Sequence, residues 1–186
     1  MYRISHLLGI LCLALVLGCS HEQHSNRQHT PYAGQETRRI KAFTNQEIEG
    51  YLNGMGMGLA KVAELNQYPG PKHVLELADQ LELTNRQRKQ TQALFDQMKE
   101  KAISIGETYI AKEQELNHMF ESGHASSKAV DSLLVEIGKI KGSLRAVHVT
   151  THIQMKEILT QEQIKRYAAL RGYGNHNTDH NHHKHS

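Results

Sequence analysis

The residues of this chain best suited to binding chemistry are its histidines, of which there are fourteen in 186 residues. His148 and His152 are spaced i, i+4 within a stretch of helical apolar periodicity, so both imidazoles leave the same face of the helix one turn apart. Such a pair can share one metal ion. His148 lies near the centre of the apolar stripe and His152 at its edge. Two interpretations stay open: half of a metal site, or a partly buried histidine satisfied by hydrogen bonds, together with an exposed neighbour.

A metal site on this helix needs ligands beyond the two histidines. If the helix folds back on the preceding one near residue 124, residue 148 faces roughly position 100, where Met98 is the seam residue. Asp96 and Glu100 point away from that seam. The sequence therefore indicates no third hard ligand within one protomer, although His73 or a second copy of the chain could supply one.

A second group of imidazoles lies in the low-complexity C-terminal tail. Its members are His176, His180, His182, His183 and His185. Clustered imidazoles on a flexible segment bind zinc, copper, nickel or cobalt. Three histidines near the N-terminus (His21, His24, His29) could add to this binding. The alternative is a pair of solvated polar ends that have no function.

Five methionines of the chain body form a third candidate group: Met55, Met57, Met98, Met119 and Met155. Thioethers are soft ligands that suit copper. Methionines at helical spacing more often fill cores, and that interpretation is favoured here.

Nothing in the chain indicates catalysis. It has no nucleophile elbow, no P-loop and no H-E-x-x-H motif. The Gly-Met-Gly-Met-Gly run at 54–58 follows no strand, so it is not a dinucleotide-binding fingerprint. A net charge of +3 is too small to argue for nucleic acid. We expect a non-enzymatic protein without a nucleic-acid partner.

The N-terminus is typical of an exported protein. The apolar run Leu7–Leu17 follows a short basic start and is shorter than the roughly 20 residues that span a membrane. It ends in Val-Leu-Gly-Cys at 16–19, which resembles a bacterial lipobox, and the resemblance implies that Cys19 carries a lipid. Ser20 then favours the periplasmic face of the outer membrane. An ordinary cleaved signal peptide is the alternative.

The rest of the chain divides by composition into a tether, a helical domain and a tail. We expect a lipoprotein signal peptide at 1–18, a flexible His-containing tether at 19–42, a helical domain at 43–172 and a disordered His-rich tail at 173–186. The predicted helices cover 45–65, 72–81, 85–121, 127–158 and 161–171. The third and fourth form a long antiparallel hairpin of about 50 Å. The fold class is therefore all-α, and a homodimer would complete its thin core.

Three of these helices begin with the same local signal. Thr84 is followed three residues later by Gln87, and Thr160 by Gln163, which are capping boxes. Thr44 with Glu47 makes a third. The first two belong to the near-repeats Leu83-Thr-Asn-Arg-Gln and Leu159-Thr-Gln-Glu-Gln. Locally these motifs start helices and carry no reactive group.

Paired LTxxQ motifs flanking a helical hairpin behind an export signal resemble the Spy/CpxP family of periplasmic proteins. The stretches YPGPKHVLELADQLELT (68–84) and ILTQEQIKRYAALRGY (158–173) are similar to its heavy-metal-sensor branch. The resemblance implies a cradle-shaped antiparallel homodimer. It also implies ATP-independent binding of unfolded envelope proteins, or metal-linked stress sensing with a sensor kinase or anti-sigma partner.

Together these features predict an exported, lipid-anchored, metal-binding protein of envelope or heavy-metal stress. Zinc, copper, nickel and cobalt are all candidate ions. The alternative is an ATP-independent periplasmic chaperone whose His-rich ends are incidental.

Overall fold

A computed structural model of the protein describes residues 30–173, and within that range every regular element is a helix. The helices are α1 (Asn45–Leu52), α2 (Lys61–Glu64), α3 (Pro71–Glu76), α4 (Asn85–Glu121), α5 (Ser127–Ile158) and α6 (Gln161–Leu170). The chain divides into a unit Met1–Ala33 and a unit Gly34–Ser186, and these six helices all lie in the second. None of the described helices is both long enough and apolar enough to cross a membrane. The all-α prediction is confirmed.

The predicted hairpin of α4 and α5 forms the body of the domain, with the bounds expected from the sequence. Gly123 follows α4 at a φ of 73°, a left-handed conformation that glycine adopts without strain. Ser126 caps α5 by accepting from the Ala129 amide. Lys112 on α4 lies 3.1 Å from Glu136 on α5. The two long helices thus run antiparallel and in contact.

The short helices cover the hairpin at two places. In the half of the hairpin nearer its turn, Phe43, Tyr51 and Tyr109 pack ring against ring, with centroids 5.0–5.7 Å apart. Near the end of α5, Val74 of α3 and Tyr167 of α6 pack into a second cluster of buried residues around Met155. At these two places, short helices of the same chain therefore cover the thin core that was predicted for the two long helices.

The two LTxxQ motifs meet in the structure, which sequence analysis did not predict. Both capping boxes form, and so does the third at Thr44. Beyond the caps, Gln87 Nε2 donates to Gln163 Oε1 at 2.8 Å, and Gln163 Nε2 donates back to Gln87 Oε1 at 3.2 Å. Gln163 Nε2 also donates to the Leu81 carbonyl, and Gln87 Nε2 to the Ile158 carbonyl. Each motif therefore starts a helix, and together the two motifs join the beginning of α4 to the end of α5.

The predicted helix over 45–65 is wrong, because it is two short helices separated by a loop. Gly54 and Gly58 have φ values of 63° and 78°, and Met57 has a φ of 41°. These left-handed residues end α1 and hold residues 53–60 off the helical path. Close packing at the glycines is real in part: a Cβ on Gly54 would lie 3.0 Å from the Lys99 carbonyl oxygen of α4.

Three smaller expectations are also corrected. The helix predicted at 72–81 is shorter, since α3 ends at Glu76 and Glu82 follows with a left-handed φ of 52°. The last helix ends at Leu170, one residue before the predicted Arg171. The apolar spacing of Leu133, Leu134 and Ile137 predicts that all three lie on a buried stripe of α5, but Leu134 is exposed.

Candidate metal centre

A cavity of about 720 Å³ lies between the short helices and the hairpin. Its wall is formed by the loop 53–58, the start of α3 and the facing positions of α4 and α5. Both His148 and His152 line it. The cavity thus contains the pair that the sequence marked as a candidate metal site.

His148 is 3% exposed, and its Nε2 has no hydrogen-bond partner among the described residues. Burial lowers the pKa of His148, and the neighbouring His152 lowers it further. The imidazole is therefore kept neutral, which is the form that binds metals. An unpartnered buried nitrogen costs about 1–3 kcal/mol, so a ligand at this atom would remove a real penalty.

His152 is held in the tautomer of a metal ligand. Its Nδ1 lies 2.7 Å from the carbonyl oxygen of Tyr68. Because a carbonyl only accepts, the Nδ1 atom carries a proton, and in the neutral ring the lone pair is then on Nε2. A backbone carbonyl behind the ring is the usual partner that orients a ligating histidine. His152 is buried as well, so the expectation of an exposed neighbour to His148 is wrong.

Gly70 leaves space beside the second ring. A Cβ at this position would lie 3.0 Å from His152 Nε2 and 3.4 Å from Glu64 Oε2. Both heteroatoms therefore border the small volume above the glycine Cα. Only a residue without a side chain leaves that volume open.

Glu64 is the main site residue that sequence reasoning missed. Its side chain is 12% exposed, and its Oε2 lies 3.6 Å from His152 Nδ1 without a hydrogen bond. Its Oε1 accepts from the Tyr167 hydroxyl and lies 3.5 Å from Arg171 Nε. Burial first, and the nearby carboxylate second, raise the pKa of Tyr167. No sequence signal links Glu64 to Tyr167, because the two residues lie on α2 and α6 about a hundred positions apart.

The hard ligands of the described residues do not form a complete metal site. Within residues 30–173, no three His, Cys, Asp or Glu side chains come close enough to hold a metal ion. His73 lines the same cavity, with its Nδ1 2.7 Å from Glu76 Oε2. It joins no group of three ligands among the described residues.

The methionines separate into two sets. Met155 is fully buried in the cluster near the end of α5. Met119 packs against the cluster that contains Phe43 and Tyr109. For these two, core filling is the role that their packing gives. Met55, Met57 and Met98 instead line the cavity with the two histidines.

Several predicted site residues lie outside the described residues. These are the lipidation candidate Cys19 and the terminal histidines (His21, His24, His29, His176, His180, His182, His183, His185). The motif residues Leu83, Thr84, Gln87, Leu159, Thr160 and Gln163 lie away from this cavity and serve as caps and packing.

Comparison of the chain with protein-family models, with curated proteins and with solved structures finds no match in any of the three. The Spy/CpxP resemblance therefore rests on the motif residues and stays a prediction.

Proposed function

We propose that this protein is an exported, non-catalytic metal-binding protein of the Spy/CpxP type, and that its folded domain binds the ion through His148 and His152. The observation that carries the proposal is the state of the two rings. One buried nitrogen lacks a partner, and the other ring is fixed with its Nε2 lone pair free. In a domain with so small a core, two buried histidines of this kind favour a ligand role over packing.

Three features support a function in metal stress. The site opens into a cavity that an ion can enter. The His-rich ends could raise the local ion concentration near it, since clustered imidazoles bind the same ions. The export signal predicted at 1–18 would bring the chain to the cell envelope, where metal stress is met.

The test uses a variant without terminal imidazoles, termed here the His-depleted chain. It begins at Ser20, contains every described helix, and carries Asn in place of His21, His24, His29, His176, His180, His182, His183 and His185. We expect saturable metal binding by this chain at a fixed ratio per chain, or per dimer if two copies share a site. His148→Ala with His152→Ala should abolish that binding.

A matched control is available on the same hairpin. His118 and His124 are exposed at its turn, and neither lines the cavity. Replacing both by Ala should leave binding unchanged. Equal loss from the two pairs would mean that any accessible imidazole suffices, and the cavity proposal would be wrong.

A chaperone function is the second candidate, and exposed apolar residues favour it. Phe120, Leu134 and Val135 are 63%, 46% and 59% exposed on the half of the hairpin near its turn. Exposed apolar groups in one region often contact partners. This function predicts suppression of client aggregation in the presence of a chelator. Leu134→Ser with Val135→Ser should weaken that suppression, whereas loss of the two cavity histidines should not.

A further inference from the structure

Among the described residues, no third His, Cys, Asp or Glu side chain joins His148 and His152 in a group that could hold an ion, but the cavity does contain soft ligands. Met98 on α4 is 8% exposed and lines the cavity together with His148 of α5. Met55 and Met57 line the cavity from the loop 53–58. Thioether sulfur selects soft ions such as copper(I), and imidazole also suits copper.

The loop presents its methionines at a structural cost. Met55 and Met57 are 55% and 42% exposed, although both side chains are apolar. Met57 also adopts a φ of 41°, which is rare outside glycine. Its Sδ packs over Gly50, where a Cβ would lie only 2.3 Å away. Strained residues of this kind cluster at binding sites, because the surrounding structure holds them there.

The charge around the cavity favours a monovalent ion. Among the described residues, four cationic side chains line it, and the carboxylate of Glu64 is the one anionic group; the four are Lys61, Lys72, Lys99 and Arg171. Glu76 outside the lining partly offsets this excess, since it lies 3.9 Å from Lys72. A divalent ion would meet twice the repulsion of a monovalent one at the same point. Neutral thioether and imidazole ligands would not compensate that difference.

We infer that the cavity takes copper(I), with thioether ligands from Met98 and the loop methionines and imidazole ligands from His148 and His152. This rests on the proposed function, because it names the ion class of the same site. Silver(I) is a non-redox probe of the same ligand preference. The competing explanation is that Met55 and Met57 form an adaptable apolar surface for a protein client.

The experiment uses the His-depleted chain and two separate ions. Copper(I) is titrated anaerobically against bicinchoninate, and zinc(II) against a chromophoric chelator. The main variant is Met55→Leu with Met57→Leu, since both residues are exposed and Leu keeps the side-chain volume. Met98→Leu is a second, independent variant. Met119→Leu is the control, because Met119 packs in the other cluster.

We expect one copper(I) per chain, with an affinity that falls about tenfold or more in either cavity variant, comparable to the loss of a group supporting a metal site. The Met119→Leu control should bind as the parent does. X-ray absorption at the copper edge should show sulfur scattering that weakens in the same variants.

The other outcomes overturn distinct statements. Zinc binding that needs His148 and His152, with copper(I) binding untouched by the methionine variants, would overturn the soft-ion inference and keep the proposed function. Absence of both ions from the His-depleted chain would overturn both. Client binding lost with Met55 and Met57, without any copper(I) effect, would assign the loop to protein partners.

Discussion

The contact between the two LTxxQ motifs makes a quantitative prediction about Gln163. Its side chain takes part in four hydrogen bonds. Oε1 accepts from the Thr160 amide at 2.9 Å and from Gln87 at 2.8 Å, while Nε2 donates to the Leu81 carbonyl at 3.1 Å and to Gln87 at 3.2 Å. The residue is half-buried, so water can replace some of these partners and not others. At about 1 kcal/mol net for each bond that water does not restore, Gln163→Ala should cost about 2–3 kcal/mol of unfolding free energy.

The decisive quantity is the coupling between the two glutamines. If the boxes act only as local caps, the losses from Gln87→Ala and Gln163→Ala add, at about 1 kcal/mol each. If the reciprocal amide pair forms, the double variant should lose about 1–2 kcal/mol less than the sum of the single variants.

Urea unfolding followed by circular dichroism measures all four chains of the cycle, at one fixed protein concentration in case the protein is dimeric. Gln90→Ala is the matched control, because Gln90 is exposed one turn from Gln87 on α4 and should change stability by less than about 0.5 kcal/mol. A coupling energy below about 0.5 kcal/mol would refute the amide pair and reduce the motifs to independent helix starts.

Two glycines on the facing long helices and the capping carboxylate of Glu47 give further predictions about the stability of the fold. Gly106→Ala should destabilise by about 1–3 kcal/mol, because its Cβ would lie 2.3 Å from the Tyr51 carbonyl oxygen. Gly138→Ala, on the facing helix with nothing within 4 Å, should stabilise by about 0.5–1 kcal/mol, and urea unfolding compares the two; equal effects would argue against the close approach of α1 to α4. The backbone amide of Thr44 first, and its hydroxyl second, lower the pKa of Glu47 from its ordinary 4.5. The folded state therefore favours the carboxylate, and this stabilisation is present above pH 4.5 and lost as the pH falls below it. Glu47→Gln keeps a capping side chain and should remove that part of the acid sensitivity in pH-dependent unfolding.

The long elements could be predicted from the sequence because their signals are local. Capping residues and helical apolar spacing give both bounds of α4 and α5. The glycine-rich run at 54–58 was wrongly predicted to be helical, because a glycine inside a helix and a glycine that ends one differ only in φ. At Gly54 the carbonyl of Lys99 on α4 approaches the glycine closely, and this tertiary contact cannot be predicted from the local sequence.

The part of the candidate site that could be predicted lies on the two long helices. The i, i+4 spacing identified His148 and His152, and the hairpin register placed Met98 opposite them. The Tyr68 carbonyl that orients His152 and the carboxylate of Glu64 come from other segments. Their positions follow from how the loop and the short helices pack on the hairpin, which no local pattern encodes.

We propose that the metal site lies in the folded domain, on the Nε2 atoms of His148 and His152. Nitrogen NMR of the full mature chain, labelled at histidine, tests it directly during a titration with silver(I) or zinc(II). We predict that His152 starts with the proton on Nδ1 and that the Nε2 signals of His148 and His152 shift with the first equivalent of at least one of the two ions. A neutral His152 with its proton on Nε2 would rule out the proposed orientation of this ring. Signals that stay unshifted with both ions until the terminal histidines are saturated would rule out a metal site in the folded domain.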